Sequence, residues 1–227
     1  MDFPGLGSRL AAVRDRIRLH QSRGGWTHPV CIVAVTKTHG PEAIRAALAA
    51  GLEDVGENRV QEALAKQDQL AGISVRWHLI GSLQRNKARL AVGRFALIHS
   101  VDREDLAVEL DRRVIEGIRQ PVLIEVNCSG EAQKSGVSPD GLGPLLDRIA
   151  AMPRLELRGL MTMAALSEDE RVQRTAFARL RALRDRMQAA GHRLPELSMG
   201  MSGDFPAAVE EGATMVRLGT LLFGERQ

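Results

Sequence analysis

Eight times along this chain a short apolar or β-branched run is followed, after a turn signal, by a segment with helical periodicity. No other feature restricts the fold as strongly, because strand-then-helix repetition builds parallel sheet rather than hairpins. The first run, CIVAVTKT at 31–38, is apolar on both faces until it meets Lys37, as a strand covered by helices on one side and core on the other must be. Further strands are predicted at 53–56, 76–80, 96–101, 121–127, 155–163, 196–200 and 214–218. The helices fall between them at 41–50, 59–70, 84–92, 104–117, 140–152, 167–190 and 205–211. In the long seventh-strand connection Ser167 reads as the N-cap with Glu170 completing the box, and Val172, Ala176, Leu180, Leu183 and Met187 as the buried stripe. Leu6, Leu10, Val13 and Ile17 recur at helical spacing ahead of the first strand and stop at Gly24-Gly25.

Eight such units in 227 residues, with no linker or low-complexity insert, fit one closed (β/α)8 TIM-type barrel occupying 1–227, with no second domain. The final strand leaves too few residues for a full helix, so the extra N-terminal helix is expected to cover that gap. An open doubly wound sheet is the alternative, but no GxGxxG follows the first strand.

Composition narrows the class of function. The longest apolar run is far shorter than the roughly 18 residues that span a bilayer, and charges interrupt the opening segment, so neither a membrane protein nor a secretory signal is expected. A cytoplasmic location follows as the default. The formal charge of +3 comes from basic residues interleaved with acids, and aromatics are 3% of the chain, which argues against nucleic-acid binding. Cys31 and Cys128 lie on or beside core strands without CxxC spacing and read as buried thiols, not as a disulfide or metal site. Of 31 basic residues four are lysine, and there is no tyrosine.

In parallel α/β folds ligands bind at the carboxyl ends of the strands. Collecting those ends here gives Lys37-Thr38, Glu57-Asn58, His78 and Gly81, His99-Ser100, Asn127, Thr162, Ser202, and Arg217 with Gly219-Thr220. Lys37 there is an ion-pair member or a nucleophilic amine. Asn58 is read either as a helix cap with Gln61 or as a ligand contact, and His78, after Trp77, as a ligand contact or a satisfied core histidine. SMGMSGD and VRLGT place Ser202, Gly219 and Thr220 where two backbone turns and two hydroxyls can converge on a phosphate, or merely cap and turn. Arg217 lies on an otherwise apolar strand, where a buried cation needs a ligand or an acid. An amine, a phosphate cup and an inward arginine suit a phosphorylated aldehyde such as pyridoxal 5'-phosphate (PLP).

VAVTKT, GENRVQEAL, WHLIGSLQRNK, KSG at 134–136, RGLMTM, LSMGMSGDF and VRLGTLLFG together resemble the pyridoxal phosphate homeostasis proteins, single-domain relatives of the alanine racemase barrel. The resemblance runs nearly end to end. It implies PLP as cofactor, Lys37 as the Schiff-base lysine and Arg217 as partner of the pyridine nitrogen. It further implies that Asn58, Ser202, Gly219 and Thr220 fall where that barrel holds the cofactor. PLP-dependent apoenzymes are then transient partners, and the chain is a monomer or a weak homodimer.

Two features favour a carrier over an enzyme. The racemases use a tyrosine from a second domain as the opposite-face base, and this chain has no tyrosine. A permanently charged arginine at the ring nitrogen disfavours a pyridinium and weakens the electron sink. The expectation is storage and delivery of PLP without turnover. A weak racemase is the alternative, and a class I aldolase acting on a phosphosugar a more distant one. Lys134 reads as a solvated loop lysine, with a second aldehyde site as its rival.

Overall fold

A computed structural model describes residues 3–131, 133–165, 167 and 169–224. Eight parallel strands close into a barrel in chain order, β1 (Cys31–Val35), β2 (Asp54–Glu57), β3 (Arg76–Leu79), β4 (Leu97–Val101), β5 (Gln120–Glu125), β6 (Leu155–Met161), β7 (Glu196–Met201) and β8 (Met215–Leu218), with β8 pairing back to β1. The expected single barrel is therefore the observed fold, and the open sheet is excluded by the β1–β8 pairing of Cys31 with Met215 through Ala34 with Leu218.

Helices cover the outside: α1 (Leu6–Gly24), α2 (Pro41–Ala49), α3 (Val60–Gln69), α4 (Ala88–Ala91), α5 (Glu104–Arg113), α6 (Leu142–Ala150), α7 (Glu170–Ala189), α8 (Phe205–Glu210) and α9 (Thr220–Phe223). As expected, α1 fills the gap left by the short α9. It buries Leu6, Leu10, Val13 and Ile17, packs across α8 and α9, and anchors by Arg9 Nε donating to the Leu222 carbonyl at 2.8 Å. Its end at Gly25, φ 73°, uses the left-handed cap that glycine adopts at no steric cost.

Two local expectations need correction. The single helix read over 84–92 is a 3-10 turn at Arg85–Lys87 followed by the one-turn α4. The stretch is too rich in polar residues to bury more than Ala88 and Ala91, so little packing energy rewards a longer helix. The cap of α7 is Asp169, whose carboxylate accepts from the Arg171 N–H at 2.8 Å, while Ser167 accepts from the Asp169 N–H at 3.1 Å. Ala176, Leu180 and Leu183 form the α7 stripe, joined by Phe177, but Val172 is exposed.

Most of the hydrophobic core lies between sheet and helices, where Ile44, Leu106, Leu142 and Phe177 are fully buried. Each such side chain contributes about 1.5–3 kcal/mol of transfer free energy. Inside the barrel the apolar content is small: a cluster of Leu97, Leu123 and Met161, with Met163 and Met215 packed against them, and Val33 and Val35 on β1. The rest of the lumen carries Asp54, His78, His99, Ser198, Glu125 and Arg217, all at most 9% exposed.

Candidate functional site

The carboxyl ends of the strands open onto a cavity of about 400 Å³ lined by Lys37, Asn58, Glu125, Ser202, Arg217, Gly219 and Thr220, among others. Six of the seven sequence-predicted site residues thus share one space. The seventh, His78, does not line it. Its ring is buried in the lumen between Asp54 and His99, 2.9 Å from each, the surroundings of a hydrogen-bonded core histidine.

Lys37 lies two residues past the end of β1, and its neighbours hold it there. The Thr36 hydroxyl donates to Glu57 Oε1 at 2.6 Å, while Lys66 Nζ on α3 donates to the same oxygen at 2.6 Å and to the Thr36 carbonyl at 2.9 Å. Glu57 and Lys66 are buried, so this is a desolvated ion pair pinning the last peptide before Lys37. On the other side Thr38 adopts φ 70°, the one positive φ of a non-glycine residue among the described residues. Such a conformation costs on the order of 1–3 kcal/mol and persists where the surroundings impose it.

Asn58 is not a cap: the α3 N-cap position is Arg59, and no side chain caps that helix. It is packed against Gly81, where an added Cβ would stand 2.4 Å from the Asn58 carbonyl oxygen. The glycine of the GSLQ segment is what lets the two loops approach. Gly200 plays a similar part behind β7, with φ 92° and Ala208 Cβ only 2.6 Å from where its own Cβ would be. That close contact brings the Met201–Gly203 turn against the β8 loop. There Ser202 Oγ accepts from the Gly219 N–H at 3.3 Å and the Leu221 N–H at 3.4 Å, so two backbone donors already converge on one oxygen.

Arg217 enters the cavity from β8. Its Nη1 donates to Ser198 Oγ at 2.7 Å and its Nη2 to the Thr162 carbonyl at 3.0 Å. Both acceptors are neutral, and among the described residues the guanidinium forms no ion pair. Burial pushes its pKa down to about 10, against the opposing charges of Asp204 and Glu125. The cation is 4% exposed and retains donor capacity toward the cavity.

Sequence reasoning missed two titratable lining residues. Glu125 sits at the end of β5, opposite Lys37 across the barrel, and its carboxyl has no hydrogen-bond partner among the described residues. Burial first and the charge of Asp102 second raise its pKa from 4.5 to about 7, with Arg217 opposing. The available signal was a lone acid in the apolar run PVLIEV. His39 lines the mouth and packs against Phe3 and Phe223 at ring distances of 5.5 and 5.4 Å. Other strand-end polar residues organise loops instead. Asn127 accepts from Ser129 and donates to the Glu131 carbonyl, and the Thr162 hydroxyl donates to the Val126 carbonyl. Lys134 pairs with Glu131 and donates to the Ala164 carbonyl at 2.9 Å. Cys31 and Cys128 are free thiols whose pKa burial raises to about 12 and about 11. Among the described residues no cluster of His, Cys, Asp or Glu could hold a metal ion, and no helix is long and apolar enough to cross a membrane.

A closed parallel barrel with a lysine after its first strand, and an arginine and an anion-directed loop at its last, defines the class of the alanine racemase N-terminal domain, whose family model matches residues 8–227. Within that class the similarity is narrower. The chain is 45% identical over 222 residues, 96% of its length and 97% of the other's, to the pyridoxal phosphate homeostasis protein of Aquifex aeolicus, and 44% identical over 223 residues to that of Pseudomonas aeruginosa. The chain belongs to the pyridoxal phosphate homeostasis protein family. Among solved structures it is similar to PipY of Synechococcus elongatus with PLP bound, at TM-score 0.85 and 41% identity over 96% of this chain and 100% of that one. An alanine racemase from Corynebacterium glutamicum shares the fold at TM-score 0.72 and 22% identity, and this chain covers 61% of it.

Proposed function

We propose that this protein holds PLP as a Schiff base on Lys37 and serves intracellular PLP homeostasis by storing and delivering the cofactor while limiting free aldehyde. The carrying observation is that Arg217, a buried cation with no ion-pair partner among the described residues, shares one cavity with Lys37 and with the Ser202, Gly219 and Thr220 loops. Three chemically different groups, an amine, a permanent donor and a set of anion-directed N–H and O–H groups, match the three ends of PLP. Lys37 would supply the nucleophilic amine, Arg217 would donate to the ring nitrogen, and Ser202 with Gly219 and Thr220 would hold the phosphate. Asn58 would contact the ring from the β2 side. When bound, PLP would bring a reactive aldehyde and a conjugated ring capable of stabilising negative charge.

The carrier reading rests on what the chain lacks and on Arg217. With no tyrosine there is no counterpart of the racemases' opposite-face base, and a guanidinium that keeps its proton leaves none for the ring nitrogen. One observation favours the second reading, a weak racemase: Glu125 is a partly neutral carboxyl across the cavity from Lys37 and could carry a proton. Solvent deuterium separates the two. The carrier reading expects no incorporation at the α-carbon of added amino acids at an enzyme-like rate, and such incorporation, lost in Glu125→Gln, would sink it. Borohydride reduction of PLP-loaded protein followed by peptide mapping is expected to label Lys37. Label on Lys134 alone would overturn the assignment of the amine.

A further inference from the structure

One buried line of hydrogen bonds crosses the barrel from its amino-terminal end to the cavity, and it ends on Arg217. Arg217 Nη1 lies 2.7 Å from Ser198 Oγ, which lies 2.9 Å from His99 Nδ1; His99 Nε2 lies 2.9 Å from His78 Nδ1, and His78 Nε2 lies 2.9 Å from Asp54 Oδ1. Arg76 closes the far end, donating from Nε to Asp54 Oδ1 at 2.8 Å and from Nη2 to Oδ2 at 2.5 Å. The residues come from β8, β7, β4, β3 and β2 in that order. Because β4 and β7 are not neighbours in the sheet, the His99–Ser198 bond spans the lumen. Every member from Asp54 to Arg217 is at most 9% exposed.

With one proton on each imidazole, the two ends fix every proton between them. A guanidinium can only donate and an ionised carboxylate can only accept. Asp54 is ionised: burial works to raise its pKa, but the hydrogen bonds from Arg76 and His78 outweigh that and hold it well below the usual carboxylate range. Ser198 therefore accepts from Arg217 and turns its own proton to His99 Nδ1. His99 must then carry its proton on Nε2 and donate to His78 Nδ1, and His78 must carry its proton on Nε2 and donate to Asp54. Burial above all drives the His99 pKa well below its ordinary value, in keeping with a neutral ring. Both imidazoles present lone pairs toward Arg217, so the line stabilises a buried cation that forms no ion pair among the described residues. The reverse arrangement requires a second proton on His78, turns the His99 N–H against Ser198, and frees the Ser198 hydroxyl from the line.

We infer that Ser198, His99, His78 and Asp54 are positioning residues for Arg217, a relay locked in one proton order that aims the guanidinium into the cavity and sets how it donates to what is bound there. The inference about bound PLP rests on the functional reading above; the proton order does not. Two measurements keep them apart. In unliganded protein carrying 15N-histidine, long-range 1H–15N spectra at pH 7.5 are expected to show His78 and His99 each as the single neutral Nε2–H tautomer. The His99 Nδ1 signal should shift in Ser198→Ala. An Nδ1–H tautomer, tautomer averaging or a doubly protonated His78 would overturn the relay.

In the second measurement PLP is titrated into wild type, Ser198→Ala and Ser198→Thr. The alanine variant is expected to bind about tenfold more weakly, with a displaced absorption maximum, and the threonine variant, which keeps the hydroxyl, to recover both. Equal affinity and an unmoved band in Ser198→Ala would overturn the positioning role. If Ser198→Ala fails to fold, His99→Gln takes its place with the same expected weakening and displaced band. A wild type that binds no PLP brings down the functional reading, while the tautomer spectra still decide the relay.

Discussion

The two compartments of this barrel differ in what their burial is for. Between sheet and helices the side chains are aliphatic or aromatic almost throughout, and Ile44, Leu106, Leu142 and Phe177 are wholly removed from water. Inside the sheet, in an equally dry space, the apolar residues are few, Leu97, Leu123 and Met161 with Val33 and Val35, and beside them run a polar line and two ionisable groups, Arg217 and Glu125, facing the cavity. Packing alone would favour filling the lumen with Val, Ile and Leu, as barrels commonly do. The difference teaches that the outer layer carries the stability of the fold, whereas the lumen sacrifices some of it to hold Arg217 and Glu125 where a ligand can use them.

Substitutions can break that division, beginning with the outer layer. Phe177→Ala should cost about 3–5 kcal/mol through lost burial and a residual cavity, read as a lower urea midpoint, while PLP affinity at low denaturant stays unchanged. The buried Lys66–Glu57 pair should behave like the lumen when broken: Lys66→Met leaves Glu57 buried and uncompensated, a loss of about 3–5 kcal/mol. It should also weaken PLP binding, because the peptide before Lys37 loses its anchor.

Glu125 tests the lumen through pH. Its folded pKa of about 7 lies above the ordinary 4.5, so the folded state holds the proton more tightly than the unfolded chain. Its stabilising contribution is fully present below pH 4.5 and is lost as pH rises through about 7. The difference over that window is about 3 kcal/mol at most. Denaturant melts at pH 4.5 and 8 should show this fall in the wild type relative to Glu125→Gln, and parallel curves would mean that the carboxyl is solvated. Arg217→Met should leave stability within about 1 kcal/mol of the wild type or raise it, since it removes a buried cation that forms no ion pair among the described residues. It should nevertheless lower PLP affinity, separating the two compartments in one variant. At the small end, Asp15→Asn on the exposed face of α1 removes a solvated pair with Arg18 and should change stability by less than about 0.5 kcal/mol.

How far the sequence foretold this structure follows the same division. The outer layer was legible because burial on one face of a helix and on both faces of a strand leaves periodic signals: Leu6, Leu10, Val13 and Ile17 mark α1, and VAV of β1 marks a covered strand. The rim was legible because ligand groups cluster where strands end, which brought Lys37, Asn58, Ser202, Arg217, Gly219 and Thr220 onto one cavity. The lumen was not. Asp54, His99 and Ser198 belong to no motif in their short strands, and the bond that joins His99 to Ser198 links strands three positions apart in the barrel. Nor does one-dimensional spacing reveal that His78 turns inward to Asp54 and His99. Glu125 was hidden by the same strand that buries it.

The central claim is that Lys37, Arg217 and the Ser202–Gly219–Thr220 loops act as one PLP site, and the absorption spectrum tests it most directly. Protein mixed with PLP and freed of excess is predicted to carry a near-visible Schiff-base band that vanishes in Lys37→Ala while the fold, read by circular dichroism, remains. A colourless wild type, or a Lys37→Ala variant that keeps the same band, would contradict the account.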